Sequence, residues 1–242
     1  MRRLLPLVLV TACGGGGTPP PASPEPEVSP RPTTRVPVED EELEEGVEIV
    51  GARGRMDPKV VEAGIAPHTQ ALTDCYMSSI GARRWLGGKV TIHWDIQADG
   101  TITGVRLAES DLGNWPIEKC LLEVARSATF GKPIGGDADF QLPLEFTGRG
   151  RLVAWDEDQA VRAVGGQLVK LDACAKGKVA APESVTVTVY VGPGGKAQSV
   201  GFASTTVIDD AWGDCAEKAA LAWRLPDPRG VVAKLAVRYP MP

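Results

Sequence analysis

The residues in this sequence best equipped for chemistry are five cysteines and two histidines. By position the cysteines divide into Cys13 alone, Cys75 with Cys120, and Cys174 with Cys215. An odd cysteine behind an apolar N-terminal run points to covalent modification. Widely spaced pairs point to disulfides in an oxidising compartment. A four-cysteine zinc site or a redox dithiol usually needs close C-x-x-C spacing, which is absent. His93 stands two residues before Asp95, and such a pair could orient a general base. Surface decoration is the favoured reading for His93, and His68 is read as sitting at a helix break without a partner. Asp95, Asp99, Glu109 and Asp111 near strand ends could serve as acid and base, but they read as exposed turn acids. G-x-S-x-G, H-E-x-x-H, phosphate-loop and dinucleotide fingerprints are all missing. Trp85, Trp94, Trp115, Trp155, Trp212 and Trp223 could line a glycan-binding groove. Core filling is favoured, with Trp94 inside and Trp115 and Trp212 around a helix. The sequence therefore gives no catalytic residue, cofactor site or metal site, and an enzyme using His93 with nearby carboxylates ranks last.

The context of Cys13 gives it a role. Met1-Arg2-Arg3 precedes an apolar run from Leu4 to Val10, and Thr11-Ala12 leads into the cysteine. These are the parts of a secretory signal. The run is far shorter than the roughly 20 residues that span a bilayer. Val10-Thr11-Ala12-Cys13 resembles the bacterial lipobox, which implies cleavage after residue 12 and acylation of Cys13, palmitate included. Gly14 follows where an aspartate would signal inner-membrane retention, so the expected location is the outer membrane, lipid-anchored on the periplasmic face or at the cell surface. Eight prolines between Pro19 and Pro37, then the acidic run Glu39 to Glu45, read as a disordered tether over 13–50. The acidic run reads as solvated, with docking to a basic partner as the lesser alternative. Net charge is −5, from 26 basic and 31 acidic residues, and gives no sign of nucleic-acid binding.

The remainder is an internal repeat. A shift of 95 positions lays Cys120 on Cys215, Val90 on Val185, Pro133 on Pro228, Gly135 on Gly230 and Leu142 on Val237 without a gap. The second copy is four residues shorter after its first cysteine. In the first copy, Asp57-Pro58 opens a helix toward Ile80, with Gly64 and Pro67 as possible breaks. Alternation then predicts a strand with Val90, Ile92, Trp94 and Ile96 inward and Thr91, His93, Asp95 and Gln97 outward. Asp99-Gly100 turns it into a strand over Thr101–Glu109. A helix from Pro116 to Ser127 follows, then a strand with Phe140, Leu142, Leu144 and Phe146 inward. The second copy reads as a helix from Asp156 to Ala175, a strand at Val185–Val191, a turn at Gly192–Gly195, a strand at Lys196–Ala203, a helix at Asp209–Trp223 and a strand at Val231–Tyr239. The order α-β-β-α-β predicts two tandem α+β domains, 51–148 and 149–242, each a small antiparallel sheet with helices on one face. Each copy puts its two cysteines on its two helices, so within-copy bonding, Cys75 to Cys120 and Cys174 to Cys215, is favoured over cross-copy pairing.

One family fits this ordered set. Cys75-Tyr76, Gly88-Lys89-Val90, Asp99-Gly100, Ser110-Asp111-Leu112-Gly113, Cys120, Phe130-Gly131-Lys132-Pro133 and Gly135-Gly136 resemble the AgmX/PglI C-terminal domain, a TonB-C-like module of myxobacterial envelope proteins. Residues 57–147 carry the pattern. The second copy resembles it less, with Ala175 in place of the aromatic and no Asp-Gly turn. The resemblance implies a non-catalytic envelope module that binds or scaffolds a protein partner, with strand addition at a free sheet edge as the mode. Energy transduction by TonB itself needs an inner-membrane helix, which this chain replaces with a lipid anchor. A peptidoglycan- or glycan-binding module is the alternative.

Overall fold

In a computed structural model the described residues are 54–177 and 179–242. The signal segment, Cys13 and the tether through residue 50 lie outside them. Asp57 caps helix α1 (Pro58–Ile65), accepting the Lys59 N–H at 2.8 Å, with Pro58 in the first turn. A 3-10 turn containing Pro67 (Ala66–His68) separates α1 from α2 (Thr69–Ile80), so the break lies where Gly64 and Pro67 predict it. Strand β1 (Gly88–Ile96) turns through Asp99-Gly100 into β2 (Ile102–Ser110). There the Asp99 carboxylate accepts the Thr101 N–H, and Gly100 takes φ 94°. Helix α3 (Trp115–Arg126) starts on an Asn114 cap, and β3 (Ala138–Phe146) closes the first copy.

The second copy begins with β4 (Leu152–Ala154), a short strand that the alternation pattern does not reveal. Helix α4 (Glu157–Val164) has a full capping box from Asp156 and Gln159. The single helix expected to Ala175 is corrected: α4 stops at Gly165 (φ 45°), and a 3-10 segment runs over Gly165–Cys174. Gly165-Gly166 is the physical reason, since glycine is a weak helix former and ends helices readily. Then follow β5 (Ser184–Gly192), β6 (Lys196–Ala203), α5 (Asp210–Leu221) and β7 (Val232–Pro240).

The fold is α+β, with two sheets ordered β2-β1-β3 and β4-β7-β5-β6. Every pairing is antiparallel except β4 on β7, which is parallel. Val90, Ile92, Trp94 and Ile96 are sealed from solvent, and Trp94 Nε1 donates to the Ala125 carbonyl of α3 at 3.0 Å. Val185, Val187, Val189 and Val191 repeat the inward row in the second copy. Each such side chain contributes about 1.5–3 kcal/mol by leaving water. Phe140, Leu142, Leu144 and Phe146 pack on the core but stay half-buried, because β3 is an edge strand.

One hydrophobic core runs through both copies, and one compact unit contains them. Their contact is polar as well as apolar. The Ser204 N–H reaches the Leu107 carbonyl at 2.9 Å, joining the ends of β6 and β2. Lys119 pairs with Asp214, the residue 95 positions on, at 2.7 Å, and Arg126 grips Asp210 through both guanidinium nitrogens at 3.0 Å. Alanine is excluded where the copies meet most closely. A Cβ on Gly213 would enter the Trp115 ring, and one on Gly201 would strike the Glu118 carboxylate.

Candidate functional site

The four paired cysteines are where the repeat predicts them. Cys75 bonds Cys120 and Cys174 bonds Cys215, with Cα separations of 5.7 and 5.6 Å. Each bond ties the first helical segment of a copy to its second. Among the described residues no cluster of three or more histidine, cysteine or acidic side chains is placed to hold a metal ion. No helix among them is long and apolar enough to cross a membrane.

His93 corrects its expected place. It is only 5% exposed, although it lies on the polar side of β1. Register explains why: His93 sits between Arg106 of β2 and Gln141 of β3, and Asp95 faces Asp139. Gln141 Nε2 lies 3.2 Å from His93 Nδ1, and Asp95 Oδ1 lies 3.2 Å from Nε2. Arg106 binds the other Asp95 oxygen. Burial pulls the Asp95 carboxyl upward, but hydrogen bonds and charge from Arg106, then from His93, hold it below the usual carboxylate range. Asp95 is thus a half-buried network member rather than an exposed turn acid. An open cleft of about 620 Å³ on this side is lined by Lys89, Thr91, Glu109, Asp111, Glu145 and Thr186, and His93 is not part of its lining. His68, read as partnerless, has the Ser127 hydroxyl 3.5 Å from its Nδ1. Trp94, Trp115, Trp212 and Trp223 are core residues, and half-buried Trp85 packs on Tyr190, their ring centroids 4.7 Å apart.

The corresponding polar side of the second sheet is covered by the first copy. Thr188 and Tyr190, which the 95-residue shift places on His93 and Asp95, are 1% and 0% exposed. The Thr188 hydroxyl donates to the Ser110 carbonyl at 3.4 Å and the Tyr190 hydroxyl to the Gly87 carbonyl at 2.7 Å. Lys234 Nζ reaches the same Gly87 carbonyl at 3.0 Å and Asp111 at 3.1 Å. Alternation alone gives Thr188 and Tyr190 a solvated face; packing of the two copies removes it.

The sheet edges also differ. The inner edges, β2 and β6, face each other at the junction. The outer edge of β7 carries β4, with Leu152 opposite Val232 and the Trp155 N–H on the Lys234 carbonyl at 2.9 Å. The outer side of β3 pairs with no strand among the described residues; the chain before α1 touches only the segment leading into it, where the Gly54 N–H donates to the Asp137 carbonyl at 2.7 Å and Arg55 bridges Ile134. Beside it runs a groove of about 750 Å³ between α1 and β3, lined by Met56, Val61, Ile65, Phe140 and Leu142 among others. Pro143 lies within β3, opposite Thr91, and the register passes through it without a shift. A proline is tolerated there because its nitrogen points away from β1. The two-residue period then turns the Gln141 and Glu145 amides outward as well.

No known protein family, curated protein or solved structure matches the chain.

Sequence reasoning missed two features, Glu118 and the β4 cover. Glu118 carried a usable signal: it stands four and seven residues before Leu122 and Ala125, on the face of α3 that is buried. β4 has only three residues and no alternation, so only tertiary pairing defines it.

Proposed function

We propose that this chain is an envelope lipoprotein, anchored through Cys13, whose folded part is a non-catalytic module that binds or scaffolds a protein partner by strand addition at the outer edge of β3. One observation carries the reading. In the second copy the equivalent outer edge, on β7, has accepted a strand from the chain itself, β4. In the first copy the edge has an apolar groove beside it instead. Backbone pairing would give the incoming segment its affinity, and the groove would take alternate side chains from it. The non-catalytic part of the reading rests on His93, whose two ring nitrogens both face side chains of its own sheet. Its burial leaves little room for a substrate. The TonB-C-like resemblance points the same way, and a lipid anchor at Cys13 fits binding rather than energy transduction.

A photo-crosslinking residue at Glu145, in the native host, tests this. Protein adducts that form from position 145 but not from the exposed loop position Asp227 are the expected result. Identical adducts from both positions would overturn it. Peptidoglycan fragments in place of protein would favour the glycan-binding alternative.

A further inference from the structure

Glu118 is the one acidic side chain that the described structure seals completely, at 0% exposure, and nothing above assigns it a role. Its carboxylate sits between the two copies. Oε2 accepts the Phe202 N–H of β6 at 2.7 Å. Oε1 accepts the Ser110 hydroxyl at the end of β2 at 2.7 Å and the Gly113 N–H at 3.2 Å. A side chain of the first copy thus closes an edge amide of the second, where a neighbouring strand would otherwise bond. The site is built around this group. Gly201 leaves room for its oxygens, and the second copy has Gly213 at the position equivalent to Glu118 itself.

No cation compensates the carboxylate. The groups facing it are Ser110 from β2, Gly113 and Asn114 from the loop before α3, Phe202 from β6 and Tyr190 from β5. Tyr190 is the titratable one among them, and its hydroxyl is committed to Gly87. Asp111, beyond Tyr190, is turned to Lys234, and Lys119 of α3 is turned to Asp214 of α5. A carboxylate held only by neutral donors has lost its hydration without gaining a counter-charge. A neutral carboxyl fits the same place. Its carbonyl oxygen keeps the Phe202 N–H, and its hydroxyl donates to Ser110 Oγ once the Ser110 O–H, which points at Oε1 in the ionised form, turns away.

We propose that Glu118 is a proton-operated latch between the two copies, holding the β2 and β6 edges together more firmly when protonated than when ionised. Burial, which outweighs the hydrogen bonds from Ser110, Phe202, Gly113 and Asn114, pushes this carboxyl from 4.5 up to about 7. A group raised in the folded state stabilises fully below its unfolded value, and that contribution drains away as pH rises to the folded value. The working window is therefore pH 4.5 to about 7, and above it the latch is fully charged.

The test compares the full chain with Glu118→Gln, which keeps an acceptor for Phe202 and cannot ionise. Between pH 4.5 and 7.5 the folding constant of the wild type should fall relative to the variant by roughly 100-fold. Every other ionisable group is common to the two proteins and cancels in the comparison. Parallel profiles would overturn the proposal. Should the variant fail to fold, the Glu118 carboxyl carbon can be followed by NMR in the wild type: a midpoint near 7 supports the latch, and one below 5 overturns it.

Discussion

Replacing Cys75 and Cys120 together by alanine should lower stability by about 4 kcal/mol, the chain-entropy cost of releasing a closed loop. The bonded residues lie 45 apart, against 41 for Cys174 and Cys215, and loop length enters only as a logarithm. The two disulfides should therefore contribute almost equally. Each is a large share of the roughly 5–15 kcal/mol that a folded domain has in total. In urea, with a slope of about 2 kcal/mol per M, the midpoint should drop by about 2 M. Far-UV circular dichroism and tryptophan fluorescence read the same experiment through different elements. Because one core spans both copies, losing either disulfide should move a single transition that both probes share. Two separate transitions, with only the first copy destabilised, would refute the shared core. A loss under about 1 kcal/mol would refute the loop argument.

Gly213→Ala drives a methyl group into the Trp115 ring and should cost at least about 1–3 kcal/mol by thermal or urea unfolding, whereas Gly166→Ala, with open space around it, should stay within about 0.5 kcal/mol. Asp214 is held below the usual carboxylate range by the Lys119 hydrogen bond, with a smaller contribution from Trp115 that adds to it and burial opposing both. Its stabilisation is present above the unfolded value of 3.8 and disappears as pH falls through the lower folded value, so Asp214→Asn should flatten the acid limb of a stability–pH profile. Cys13→Ser should abolish labelling with radioactive palmitate and move the protein from the membrane to the soluble fraction; unchanged labelling would remove the anchor from the account.

What the sequence reveals about this fold follows from strong local periods. The alternation from Val90 to Ile96 is uninterrupted, Asp99-Gly100 is a strong hairpin-turn signal, and Asp57-Pro58 and Asp156 are caps with a mechanism. The 95-residue shift makes the two copies visible and pairs the cysteines. It conceals what distinguishes the copies. Thr188 and Tyr190 look as solvated as Thr91, yet they are buried because the loop before α3 of the first copy lies on them. His93 looks like a surface histidine because its covering residues, Arg106 and Gln141, come from strands 13 and 48 positions away. Long-range packing has no local signature, so the polar network, the covered edge of β7 and the groove beside β3 emerge only from the tertiary structure.

Amide hydrogen exchange on the complex with its cross-linked partner tests strand addition most directly. The account predicts that the outward amides of Gln141 and Glu145 become strongly protected on binding, while those of Leu142 and Leu144, already paired with β1, change little. Unaltered exchange at Gln141 and Glu145 in the bound state would contradict it.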